Sequence, residues 1–307
     1  MSTIIRSCYA RSQVFPGKFL HDLLVCPQGE IGRYRCFVGH IWGNTLPALR
    51  PDLTMVTMVR EPVEATLSWL HYQRMRWFQG GEDLIRHGDA FQPLATGDWR
   101  LCVDSPAIRR LLTNRQSRFL GTTLDLSSQI GRYTDVVQAE SAANIALDQS
   151  TKQIGVEALY ANAHRRLEEA ALVGVTERFA ESATLLCRLL GISAPKQWPQ
   201  GNLGRGKTAV DLYDHTATAD PELIERIRAI NGADQVLYEH ANALLDEQLG
   251  RSKAAPSVHF SLQPRLRRGM RSARHKVRSM AGTLCRRRAP AKEPTSAEAN
   301  RCVGRHS

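Results

Sequence analysis

Three short apolar, β-branched runs stand out along the chain, Tyr34–Val38, Leu53–Val59 and Leu172–Val175, each bounded by turn residues and each predicting a strand. Between them the apolar positions recur at helical spacing. Pro62 follows Arg60 and Glu61 directly after the second run, a position suited to the first turn of a helix, and that helix extends to about Phe78. Ser105 and Pro106 open another as cap and first residue, running toward Phe119 with Leu111, Leu112 and Phe119 as its apolar positions. Val156–Ala170, Ala180–Leu190 and Pro221–Leu249 also read as helices. This alternation predicts an α/β protein whose mostly parallel sheet is flanked by helices, with ligands at the carboxyl ends of its strands. Residues 79–104 and 124–150 read as insertions.

Charge changes the picture at one end only. The 307-residue chain carries a formal net charge of +11, but Arg251 to Ser307 hold 15 Lys and Arg against 2 Asp and Glu, which leaves residues 1–250 at net −2. The expected organisation is therefore a near-neutral domain over 1–250 and a basic tail over 251–307. In that tail Leu266, Met270, Ala273, Val277, Met280 and Leu284 share one helical face, and arginines surround it over 264–288. Such a helix suits an anionic membrane surface; a solvated tail and a polyanion partner are the alternatives, and nucleic acid is the weakest of the partners. No long apolar run and no leader pattern is visible, so the expected location is cytoplasmic and, through the tail, membrane-peripheral. Seven scattered cysteines without a C-x-x-C pair predict free thiols.

The segment Val56 to Arg74 is the richest in chemistry. Arg60 stands at the end of an apolar strand and Ser68 on the helix that follows, so a guanidinium, a hydroxyl and a helix N-terminus are available to one phosphate. The plainer reading pairs Arg60 with Glu61 or Glu64 and leaves Ser68 in solvent. His40 follows Gly39 after the first strand and has a side chain able to take a proton near neutral pH, although a hydrogen-bonded structural histidine is the commoner case. Glu177 sits where a strand enters a helix, and its plainer role is structural. Gly201 to Thr208 spell G-x-x-x-x-G-K-[ST], which raises a nucleotide triphosphatase or kinase as a rival, but the segment neither leaves a strand nor opens a strongly patterned helix.

In order and spacing these features resemble the carbohydrate sulfotransferases of Golgi type and their bacterial relatives, in particular the uronosyl 2-O-sulfotransferase branch. The resemblance is carried by Gly39-His40, Arg60 to Ser68, Asn114 to Arg118, Gly174 to Phe179 and Asn231 to Ala241, over roughly residues 2–245. It implies a P-loop-like α/β fold and a sulfuryl transfer from 3′-phosphoadenosine 5′-phosphosulfate to a hydroxyl of a carbohydrate or glycoconjugate, with no metal. By position, Arg60 and Ser68 would bind the donor's 3′-phosphate, and His40 would be the base.

One part of that pattern is missing. The family's first strand and its 5′-phosphosulfate loop precede the first helix, whereas here Met1 to Thr3 fall at the end of that loop, with Ser2 and Thr3 as its remnants. The expectation is that the natural start lies upstream and that Met1 is internal. A degenerate member, or a non-catalytic protein that keeps the nucleotide cleft, is the alternative.

Overall fold

The structure is a computed structural model that describes residues 1–41, 45, 50–79, 88–195 and 220–254. The Gly201–Thr208 segment and the 264–288 tail helix lie outside the described residues. From the N-terminus, α1 (Ser2–Ser7) and α2 (Leu20–Val25) lead to β1 (Val56–Val59) and the long α3 (Pro62–Phe78). Four short helices follow: α4 (Pro93–Thr96), α5 (Trp99–Asp104), α6 (Pro106–Leu112) and α7 (Arg115–Gly121). Then come α8 (Val136–Ile154), α9 (Val156–Glu169), β2 (Leu172–Val175) and α10 (Phe179–Leu189), and finally α11 (Pro221–Ile230) and α12 (Gly232–Ala254).

The described residues are mostly helical, and their sheet is a single parallel pair in the register Val56↔Leu172 to Val59↔Val175. This is sparser than the flanked sheet the sequence predicts. Backbone N–H groups of Val173 and Val175 donate to side chains, Gln248 Oε1 at 3.2 Å and Ser182 Oγ at 2.9 Å, so α12 and α10 satisfy positions that strand backbone would otherwise take.

The first predicted strand is also not one. Tyr34 and Cys36 are buried while Arg35 is exposed, which is the alternation of a half-buried strand, yet the only pairing there is an isolated bridge from Cys36 to Val14 among the described residues. Cys36 N–H donates to Gln13 O at 3.1 Å and Phe15 N–H to Cys36 O at 2.8 Å, and the pairing goes no further than this bridge. The helix expected over 106–119 breaks at Asn114, which adopts a left-handed conformation (φ 44°), and the one expected over 221–249 breaks at Asn231 and then runs on to Ala254. Residues 124–150, read as an insertion, are largely occupied by α8.

Three apolar clusters hold these elements. One packs α3 against α4, α5, α6 and α11 through Leu67, Leu70, Leu94, Trp99 and Ile227. A second joins residues 15–41 to α8, and the third surrounds β1 and β2 with α7, α9, α10 and α12. The five described cysteines, Cys8, Cys26, Cys36, Cys102 and Cys187, are buried and free, as the sequence predicts. No described helix is long and apolar enough to cross a membrane.

Candidate active site

At the carboxyl end of β1 the chain leaves a buried Val59 and turns at once into α3. Glu61 makes the turn possible: its carboxylate accepts the N–H of Glu64 at 2.8 Å, with Pro62 pre-set in the first helical position. The backbone of Arg60 is held from the other side. Gln116 accepts the Arg60 N–H on Oε1 at 2.9 Å and donates Nε2 to the Arg60 carbonyl at 2.8 Å, so one side-chain amide satisfies both peptide groups of the residue.

Gln116 is itself fixed by crossed helix caps. Buried Asp234, in the first turn of α12, accepts the N–H groups of Gln116 and Ser117 at 2.9 and 2.7 Å, capping α7. In return Asn114 Oδ1 accepts the N–H groups of Ala233 and Asp234 at 3.0 and 3.3 Å, capping α12. Asn231 completes the knot, accepting the Asn114 N–H at 2.9 Å and donating to Thr66 of α3 at 3.3 Å. Burial raises the Asp234 pKa against the pull of its N–H donors and Arg115, as expected for a carboxylate taken from water to serve as a cap. The Asn114–Arg118 and Asn231–Ala241 segments thus find a structural use, as the joint that positions Arg60.

The Arg60 side chain points along the open face of α3. Its Nη2 donates to Glu64 Oε2 at 3.0 Å, its Nε lies 3.9 Å from Glu177 Oε1, and that Nε is buried with no hydrogen-bond partner. Glu177 also accepts the N–H of Glu61 at 3.2 Å, a structural role. The plainer reading of Arg60 is therefore present in the structure through Glu64, while Glu61 acts as a cap. Ser68 lies one turn beyond Glu64 on the same side of α3, half-buried, opposite the buried Val63 and Leu70, so residues 60 and 68 share a face.

Arg115 links this face to His40. Its guanidinium lies 5.5 Å from the ring of Trp69, the neighbour of Ser68. Burial, with Arg118 nearby, brings the Arg115 pKa down to about 10, so it stays charged at neutral pH. His40 is bridged to Phe19, and its N–H donates to the Lys18 carbonyl at 2.6 Å. This approach needs Gly39, since a Cβ there would come within 2.0 Å of that same carbonyl oxygen. The imidazole keeps an exposed edge between Phe19 and Phe119, with ring centroids at 6.1 and 6.3 Å. Partial burial, and then the charge of Arg115, hold its pKa below the ordinary imidazole value.

The structure ties Arg60 to Gln116 and His40 to Arg115, two residues that sequence reasoning missed although they lie inside a segment it had marked, and it places Ser68 on the Glu64 side of α3. It does not gather Ser2 and Thr3. They lie on the exposed side of α1, whose Met1 amine and Cys8 thiol both sit by Cys187 near the C-terminal end of α10. Because α10 runs back from the carboxyl end of β2, that is the half of α10 away from Arg60. Among the described residues no group of three His, Cys, Asp or Glu is arranged to hold a metal ion. Comparison with family models, with curated proteins and with solved structures finds no match for this chain.

Proposed function

We propose that this chain is a sulfotransferase of P-loop-like ancestry that uses 3′-phosphoadenosine 5′-phosphosulfate, consumed in each turnover, to sulfate a hydroxyl of a carbohydrate or glycoconjugate. The observation that carries the reading is the arginine at the strand exit: its backbone is fixed by Gln116, its Nε is buried without an acceptor, and Ser68 lies on the same side of α3. A buried donor with no acceptor costs on the order of 1–3 kcal/mol, and a phosphate oxygen would supply the missing partner. These residues fit the donor's 3′-phosphate; no described residue is assigned to its 5′ end. Phosphate and Glu64 compete for the same guanidinium, so binding requires Glu64 to turn outward, which its partly exposed position allows.

His40 suits the other half of the reaction. Its lowered pKa keeps the imidazole neutral near pH 7 and ready to accept a proton. In the step inferred here the acceptor oxygen forms its bond to sulfur while the sulfur–phosphate oxygen bond breaks. The hydroxyl proton passes to His40 and the electron pair leaves on the donor's phosphate. As in phosphoryl transfer, positioning and charge stabilisation supply the catalysis.

Calorimetry with adenosine 3′,5′-bisphosphate tests the reading. Saturable binding that Arg60→Ala abolishes is the expected result. No binding by the wild type, or equal binding by the variant, overturns it, and a preference for ATP transfers the weight to the nucleotide triphosphatase alternative.

A further inference from the structure

A second cationic position lies about four turns beyond Arg60, toward the C-terminal end of α3, and nothing in the sulfuryl-transfer reading uses it. Arg74 extends from the C-terminal half of α3 toward α5. Its guanidinium carbon lies 5.6 Å from the ring of Phe78 and 5.6 Å from the ring of Trp99. Gly97, between α4 and α5, makes room for it. The glycine adopts φ +75°, and a Cβ there would come within 2.7 Å of the Arg74 guanidinium carbon and Nη2. A side chain at 97 would therefore both strain the backbone and expel the cation.

The cradle leaves two donors without acceptors. Trp99 is only 4% exposed, and its indole Nε1–H has no hydrogen-bond partner; the buried Nε–H of Arg74 has none either. Among the described residues Arg74 makes no ion pair. Asp98, on the same turn as Trp99, uses Oδ1 to cap α5 by accepting the N–H groups of Arg100 and Leu101 at 2.9 and 3.3 Å. His71 lies edge-on to Trp99 at 4.8 Å, and its ring adds no carboxylate. Buried polar groups in native proteins are nearly always satisfied, so two adjacent buried donors beside one guanidinium call for an acceptor from outside the chain.

We propose that Arg74 and Trp99, cradled by Gly97, form a binding site for a small oxyanion. In this site one oxygen of the anion takes the Trp99 N–H and another the Arg74 Nε–H, the two unpartnered donors. The aromatic faces on either side of the guanidinium hold it in place and exclude water, which strengthens both charge-assisted bonds. A tetrahedral anion and a carboxylate share the chemistry required, an acceptor group carrying negative charge. This site is independent of Arg60 and stands or falls separately from the sulfuryl-transfer reading.

The test is an NMR titration of the full chain, following the Trp99 indole N–H, assigned by its loss in Trp99→Phe, against sulfate, phosphate and acetate in turn at constant ionic strength set with chloride. A saturable shift of that resonance with at least one of the three is expected, and the anion that saturates it identifies the oxyanion class. Arg74→Met, which keeps an apolar chain of similar length between the rings, is expected to weaken that binding about tenfold or more. Trp99→Phe keeps the ring and removes only the donor, and its affinity, read by calorimetry, is expected to fall as well. An indole resonance that none of the three anions moves overturns the proposal and leaves the site to an ordered water. So does a shift that chloride reproduces, or unchanged affinity in a folded Arg74→Met.

Discussion

Arg60 and Arg74 stand at opposite ends of one helix and meet their charge in opposite ways. At the N-terminal end the guanidinium is flanked by two carboxylates, Glu64 and Glu177, and its backbone is locked by Gln116. At the other end the Arg74 guanidinium lies 5.6 Å from each of two aromatic rings and fills the space that Gly97 leaves, with no carboxylate partner among the described residues. The first arrangement fixes where the arginine is and leaves its charge partly answered. The second fixes the side chain by packing and leaves its charge unanswered. On the two proposals an anion at Arg60 would displace Glu64, whereas one at Arg74 would meet no carboxylate among the described residues, so the two ends separate pre-positioning from affinity.

The largest expected effect comes from removing the frame around Arg60. Asp234→Ala takes the acceptor from the N–H groups of Gln116 and Ser117, part-buried and buried, and uncaps α7, and the expected loss is about 3 kcal/mol of stability in urea unfolding. Hydrogen exchange should quicken at the amides of Gln116 and Ser117 while protection along α5 stays as it was. Equal loss of protection at both ends of α3 would dissolve the contrast, because it would mean that one frame holds both arginines.

How far the sequence carries this picture depends on what each residue answers to. Pro62 and the strand before it predict where α3 begins because the signal is local, a fixed φ at the first turn, whereas the Glu61 cap shows only in the structure. Leu172–Val175 is likewise a strand as predicted, being apolar throughout and buried throughout. Tyr34–Val38 has the alternation of a strand but pairs only through the single bridge of Cys36 to Val14, a partner that local pattern does not reveal. Asn114 reads as an ordinary helical residue, but tertiary capping at Ala233 and Asp234 holds it left-handed and breaks the helix. The site divides in the same way. Arg60 lies at the recognisable end of a local element, while Gln116 and Arg74 owe their meaning to residues that only folding brings near.

Gly97→Ala acts at the second end, with an intermediate effect. The new Cβ meets the Arg74 guanidinium and a backbone at φ +75° that disfavours it, for an expected cost of about 1–2 kcal/mol in thermal or urea unfolding. The displaced guanidinium should weaken oxyanion binding at Trp99 and leave adenosine 3′,5′-bisphosphate binding unchanged. Loss of both would show that the two ends of α3 are coupled.

The smallest effect asks whether Glu64 is the brake on Arg60. Glu64→Gln keeps the size and hydrogen-bonding capacity of the side chain but removes the charge that now answers the guanidinium. Both partners are partly exposed, so the ion pair contributes little to folding, and stability should change by well under 1 kcal/mol. Ligand affinity should respond in the opposite sense to most substitutions near a site, with adenosine 3′,5′-bisphosphate binding about threefold tighter because the phosphate no longer displaces a carboxylate. The same substitution has no route to Arg74, so oxyanion affinity there should hold constant. If calorimetry shows weaker nucleotide binding in Glu64→Gln, then the carboxylate orients Arg60 rather than competing for it, and the distinction between an answered and an unanswered arginine would have to be redrawn in terms of geometry instead of charge.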